Sequence, residues 1–275
     1  MFPQRPPVAI SDEEFLRESL SLVESAKKEG VVLRILGGFA VYIHSNDECR
    51  RLQKKLGRLG EGKPSFTDLD LAGYNKQWKE INRFFSNSIR YPADRETNAL
   101  YGGRRLVFFH PKYRYPVDVF IDKLEFSHTI DFGKPGKDGR LELDYPTLNL
   151  ADLLLEKLQI HQINRKDLID MLTLFLGHDV RDVSSVESID GGHVARTLSD
   201  DWGFWYDACN NLGLTRKLAE QSLSEGSISE NQFEVIVSRI QELISMAYSH
   251  EKTSAWKTRA KVGTSKRWFT EVSEL

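Results

Sequence analysis

Residues 65–73, Ser-Phe-Thr-Asp-Leu-Asp-Leu-Ala-Gly, constrain the chain more than any other stretch. Leu69 and Leu71 alternate with Asp68, Asp70 and Ala72, which is the period of two of a half-buried β-strand. Side chains two apart on a strand share a face. Asp68 and Asp70 therefore stand together, their Cα atoms about 6.5–7 Å apart. Two unpaired carboxylates on one face repel each other and cost stability. A hard divalent cation removes that cost, and Mg²⁺ prefers carboxylates, waters and substrate phosphates. Taken alone, the pair reads either as part of a solvated strand or as a metal-binding couple.

Two further stretches bear on that choice. Upstream, Leu33-Arg34-Ile35-Leu36 is an apolar strand that runs into Gly37 and Gly38 and then into a helical pattern. Glycines between strand and helix let backbone N–H groups approach a phosphate at the helix N-terminus. Downstream, Val117, Val119 and Ile121 alternate with Asp118, Phe120 and Asp122, a second strand with an acidic face. A Gly pair, an Asp-x-Asp and a later single Asp, in that order, resemble the nucleotidyltransferase superfamily through Gly37, Gly38, Asp68, Asp70 and Asp118. The segments 150–159, holding Lys157, and 164–172, holding Arg165 and Asp167, are similar to the Lys…Arg-x-Asp helical element of AbiEii-like nucleotidyltransferases, which include toxins of toxin–antitoxin pairs. The likeness covers about residues 30–175, and with the Trp-rich tail the whole resembles an uncharacterised bacterial nucleotidyltransferase-like group. The 29 residues between Gly38 and Asp68 exceed the usual family spacing and read as an insertion over 39–67.

The resemblance implies an α+β fold: a nucleotidyltransferase-type mixed β-sheet with flanking helices, plus a helical C-terminal domain. It implies that Asp68, Asp70 and Asp118 hold Mg²⁺ (or Mn²⁺) and that Asp118 activates an acceptor hydroxyl. Gly37, Gly38, Lys157 and Arg165 would bind the nucleotide. Lys157 reads otherwise as an ion-pair partner of Asp167 or Asp170. The partners implied are an NTP, possible tRNA as acceptor, and a possible antitoxin protein. A small-molecule hydroxyl or a protein side chain are the other acceptors, and a non-catalytic nucleotide- or partner-binding module is the rival reading.

The whole chain limits these readings little. Its 275 residues are 40% hydrophobic and 28% charged, enough for a real core. Net charge is −2, so no global basic field argues for nucleic acid. No apolar run approaches the ~18 residues of a membrane span, and the first residues lack a signal-peptide core. Cys49 and Cys209 are isolated thiols without metal-type spacing. The expectation is a cytoplasmic protein without a membrane partner.

Two domains are expected, 1–145 with the catalytic core and an N-terminal helix, and 146–275, helical with a basic and aromatic tail. After a proline-rich lead, Ser11 and Glu14 form a capping box for a first helix that ends at Gly30. Residues 50–63 hold six Lys/Arg against Glu61 alone, a local +5. That is either a solvated helix and loop or a basic rim for triphosphate or RNA. Residues 76–86 predict an amphipathic helix. Gly102-Gly103 suits a two-residue hairpin turn, leading into a strand over 106–109 beside the Asp118 strand. Arg104, Arg105, Lys112 and Arg114 lie in 101–115, which has no acid. Short strands are predicted over 126–132 and 141–143. From Pro146 the period becomes 3.6, with Lys157 and His161 one turn apart and a next helix ending at Gly177. His161 reads as structural. Helices over 199–223 and 229–248 follow, the second with a capping box at Ser229 and Gln232. Residues 251–275 carry six Lys/Arg against three Glu and read as an arm packed on the body or as a base-stacking segment.

Overall fold

In the computed structural model the described residues are 8–59, 64–183 and 185–271. Residues 1–7 of the proline-rich lead, and Glu61 and Lys63 of the basic stretch, lie outside them. Helix α1 (Asp12–Lys28) begins at Ser11, whose hydroxyl accepts the Glu14 N–H at 3.2 Å. Asp12, Glu13 and Glu14 fill its first turn and Lys27 and Lys28 its last, the polarity a helix dipole favours. Gly30, at φ +75°, ends the segment. Strand β1 (Leu33–Ile35) leads into α2 (Gly37–His44) and α3 (Asp47–Lys55). Then come β2 (Leu69–Gly73), α4 (Trp78–Arg83), α5 (Arg95–Tyr101), β3 (Arg105–Phe109), β4 (Pro116–Ile121), β5 (Lys123–Glu125) and β6 (Thr129–Asp131). Thereafter the chain is mostly helical: α6 (Leu150–Leu158), α7 (Arg165–Gly177), β7 (Asp179–Arg181), β8 (Ser188–Asp190), α8 (Gly191–Asp200), α9 (Trp202–Ser224), α10 (Glu230–Ser249) and α11 (Ser254–Val262). No helix among the described residues is long and apolar enough to cross a membrane.

The chain forms two compact units. The first comprises residues up to 40, 59–124 and 131–148. Its centre is a four-stranded mixed sheet in the order β1-β2-β4-β3. β2 and β4 run parallel, while β1 and β3 are antiparallel to their neighbours. Leu33, Ile35, Leu69, Leu71, Val117, Val119 and Phe108, all fully buried, and the nearly buried Leu106 line one face. Phe15 of α1 packs edge-on to Phe39 and stacks with Phe66. Phe85 stacks on Phe108 at 4.2 Å. Alternation then forces Asp70, Asp118, Arg105 and Arg34 onto the opposite face.

The second unit comprises residues 41–58, 125–130 and 149 onward. Every residue of α6 is buried, its Asp152, Glu156 and Lys157 included. The expected break after 145 falls instead after Leu148, and the segments 41–58 and 125–130 join the helical unit. Three further expectations are corrected. Gly102 is not in a hairpin but ends α5, its N–H donating to Asn98 O. Residues 141–143 form turns, with Leu143 N–H bonded to Arg140 O. His161 lies beyond the end of α6 rather than one turn from Lys157 on it. The capping box of Ser229 and Gln232 is present. The small parallel β7–β8 pair had no periodic signal, because three residues are too few to show alternation.

Candidate active site

Asp70 and Asp118 are register partners on parallel strands, so their backbones are about 4.8 Å apart and their side chains leave the same face. Asp68 precedes β2 by one residue and is exposed, its Oδ1 accepting the Thr67 hydroxyl at 3.1 Å. Asp70 is half-buried and Asp118 is only 5% exposed. Of the three, Asp118 is thus the one whose charge most requires a partner.

That partner is Arg105, whose Nε donates to Asp118 Oδ1 at 2.9 Å. The β3–β4 register pairs Val107 with Asp118 and Arg105 with Phe120, which puts Arg105 on the acidic face. Its guanidinium also lies 5.6 Å from the Phe120 ring centroid. The bond to Asp118 holds the Arg105 pKa above its usual value despite burial, helped by the charges of Asp118, Asp70 and Asp68. Sequence reasoning counted Arg105 only among a basic stretch. Its alternation with Val107 was the available signal, but the strand register was needed to use it.

Gly37 closes the other side of Asp70. The Leu36 N–H donates to Asp70 O at 3.0 Å, and Gly37 takes φ +79°. A Cβ at Gly37 would come within 3.1 Å of Asp70 Oδ2, so the absent side chain is what admits the carboxylate. Gly38 follows in the first turn of α2. Asp122, expected beside Asp118, lies past the end of β4 and accepts the Asn75 N–H instead. No group of three His, Cys, Asp or Glu side chains among the described residues is gathered tightly enough to hold a metal ion. The donor chemistry nevertheless suits Mg²⁺ or Mn²⁺: carboxylate oxygens on neighbouring strands, with a glycine backbone leaving room beside them. One of those oxygens is already taken by a cation of the protein's own.

In the second unit Lys157 makes the ion pairs with Asp167 and Asp170 that were its other reading, and adds Glu156. Its ammonium lies 2.9 Å from Asp167 and 3.5 Å from both Glu156 and Asp170. Asp170, fully buried, also receives Arg58 in a two-pronged bond at 2.7 and 3.2 Å. Burial alone would lower the Lys157 pKa, but the three carboxylates outweigh it and raise it. This network accounts for Lys157 without a nucleotide. Arg165 is exposed at the first position of α7, capped by Asn164.

A second polar cluster escaped sequence reasoning. Asp207 of α9, 2% exposed, lies 2.8 Å from His128 Nε2 and 3.1 Å from His161 Nδ1, and accepts the Trp268 indole N–H at 3.1 Å. Phe269 stacks on His161, and the Thr270 N–H donates to Ser127 O. His161 is thus structural, as expected, and the tail up to Thr270 is packed on its own unit. These residues come from four distant segments, and no local spacing announces them.

No protein-family model matches the chain, and neither a curated protein nor a solved structure is significantly similar to it.

Proposed function

We propose that the acidic face of the first unit is the active site of a nucleotidyltransferase, which moves a nucleoside monophosphate from an NTP to an acceptor hydroxyl. The observation that carries this reading is the register that sets Asp70 beside Asp118 on one polar sheet face, with Gly37 packed against Asp70. Asp68, Asp70 and Asp118 would hold Mg²⁺ or Mn²⁺. Bound there, the ion supplies positive charge against the triphosphate and the leaving pyrophosphate. The Gly37–Gly38 turn would set a helix N-terminus toward the phosphates. Asp118 takes the proton of the acceptor hydroxyl as its oxygen attacks the α-phosphorus. The bond from that phosphorus to pyrophosphate breaks as the new phosphoester forms. Lys157 has no part in this chemistry; its ion network holds α6 to α7.

The acceptor proposed is the 3′ end of tRNA, favoured by the acid-free stretch 101–115 and its exposed Arg104 beside Arg105 on β3. A cytoplasmic, toxin-like role restrained by an antitoxin protein fits that acceptor. The test is incubation of the pure protein with each α-labelled NTP, Mg²⁺ and total cell RNA, with products resolved on a denaturing gel. Label on tRNA-sized RNA is the expected outcome. Label appearing only on an added aminoglycoside or similar polyol would reassign the acceptor to a small molecule. No label on any acceptor would overturn the reading.

A further inference from the structure

Asp70 and Asp118 leave one sheet face, Asp68 precedes β2 by one residue, and a cation of the protein's own touches this group. Arg105 bonds the most buried of the three, Asp118. Its own side chain remains 28% exposed, and it bonds Asp118 through Nε. Arg34, another basic residue on this face, bonds elsewhere, with Nε on Asp144 O and Nη1 on Leu33 O. Lys112, nearby in sequence, pairs with Glu14 and bonds Tyr113. Arg105 therefore places a positive charge against the acidic face and holds one oxygen of a carboxylate that a divalent cation there would use.

We propose that Arg105 is a positioning residue that guards the acidic face: it yields Asp118 to an entering divalent cation and turns to the phosphates of the nucleotide that arrives with it. The inference rests on the nucleotidyltransferase reading above and deepens it. Its physical basis is exclusion and geometry. A guanidinium and a divalent ion crowded on one carboxylate repel each other as like charges. A guanidinium freed from a carboxylate matches a phosphate with the same planar fork. Metal alone must displace Arg105 into water, whereas metal with nucleotide gives it a new anion. Uptake of the two is thereby coupled.

The test is Mn²⁺ affinity, read by electron paramagnetic resonance of free Mn²⁺, with and without a non-hydrolysable NTP analogue. For the wild type, weak binding of Mn²⁺ alone is expected, tightened about tenfold or more by the analogue. Arg105→Met should bind Mn²⁺ alone about tenfold more tightly than the wild type, because the competing charge is gone. It should show little further tightening with the analogue. Arg105→Lys keeps the charge without the fork, so its affinity for Mn²⁺ alone should stay near wild type while the coupling drops. Should Arg105→Met fail to fold, Arg105→Gln and the lysine variant carry the same comparison. If the wild type binds Mn²⁺ but the neutral variants bind it equally or more weakly, or coupling survives in them, the guard role is wrong while the active-site reading stands. If the wild type binds no Mn²⁺ in either condition, both fall.

Discussion

On the proposed reading, Asp70 serves the chemistry while standing beside a second carboxylate. It is half-buried beside Asp118 and presses on the backbone of Gly37. Asp70→Asn removes a like charge, so thermal stability should stay the same or rise, while nucleotidyl transfer disappears. A melting temperature lowered by more than a few degrees would assign Asp70 a structural role instead. Gly37→Ala meets two costs, the left-handed backbone and the 3.1 Å approach to Asp70. It should lose about 1–3 kcal/mol of stability along with activity, measured by denaturant titration beside the transfer assay. His128 is the residue with a clear pH signature. Burial pushes its pKa down, but Asp201 and Asp207 outweigh that and leave it raised. A raised folded-state pKa contributes stability that is complete below the unfolded value of about 6.5. That contribution is lost as pH rises through the folded-state value. His128→Leu should therefore cost about 3 kcal/mol at pH 6 and less at pH 9. A cost independent of pH would mean that His128 packs as a neutral ring.

At the level of elements, strands were legible where both faces differ in chemistry. The alternation of Leu69 and Leu71 with Asp70, and of Val117 and Val119 with Asp118, fixed the faces of β2 and β4 before any pairing was known. Gly102-Gly103 misled because a glycine pair marks a helix end as readily as a hairpin. The Asp94 cap, whose carboxylate accepts the Thr97 N–H, was the overlooked sign of α5. Lys157 left two readings open for another reason: sequence shows which charges exist, not which are already matched. Lys157→Met strips a partner from the buried Asp170 and from Asp167, and should cost about 3–5 kcal/mol with no change in NTP affinity per folded molecule. Weakened NTP binding in a fully folded variant, measured by calorimetry, would return Lys157 to the nucleotide. The tail shows the same limit. Its packing was a sound expectation, but the seat of Trp268 on Asp207 depends on partners about 60 residues away. Gly203, where a Cβ would come within 2.5 Å of Trp268 O, is the close approach that seats it.

On the scale of the whole molecule, the division into a sheet-centred and a helical unit was readable from the change of period near Pro146. The transfer of 41–58 and 125–130 to the helical unit was not, since it depends on contacts that no local pattern encodes. A net charge of −2 means that any affinity for tRNA arises from local clusters. Such binding should weaken steeply with salt, each phosphate contact releasing a counterion. The most direct measurement compares α- and γ-labelled NTP in parallel reactions with Mg²⁺ and total RNA, using the wild type and Asp70→Asn at matched folded concentration. Wild-type protein should place the α-label on the acceptor and release the γ-label as pyrophosphate, and Asp70→Asn should do neither. Transfer of the γ-label to the acceptor, or α-label transfer undiminished in Asp70→Asn, would contradict a nucleotidyltransferase site on this face.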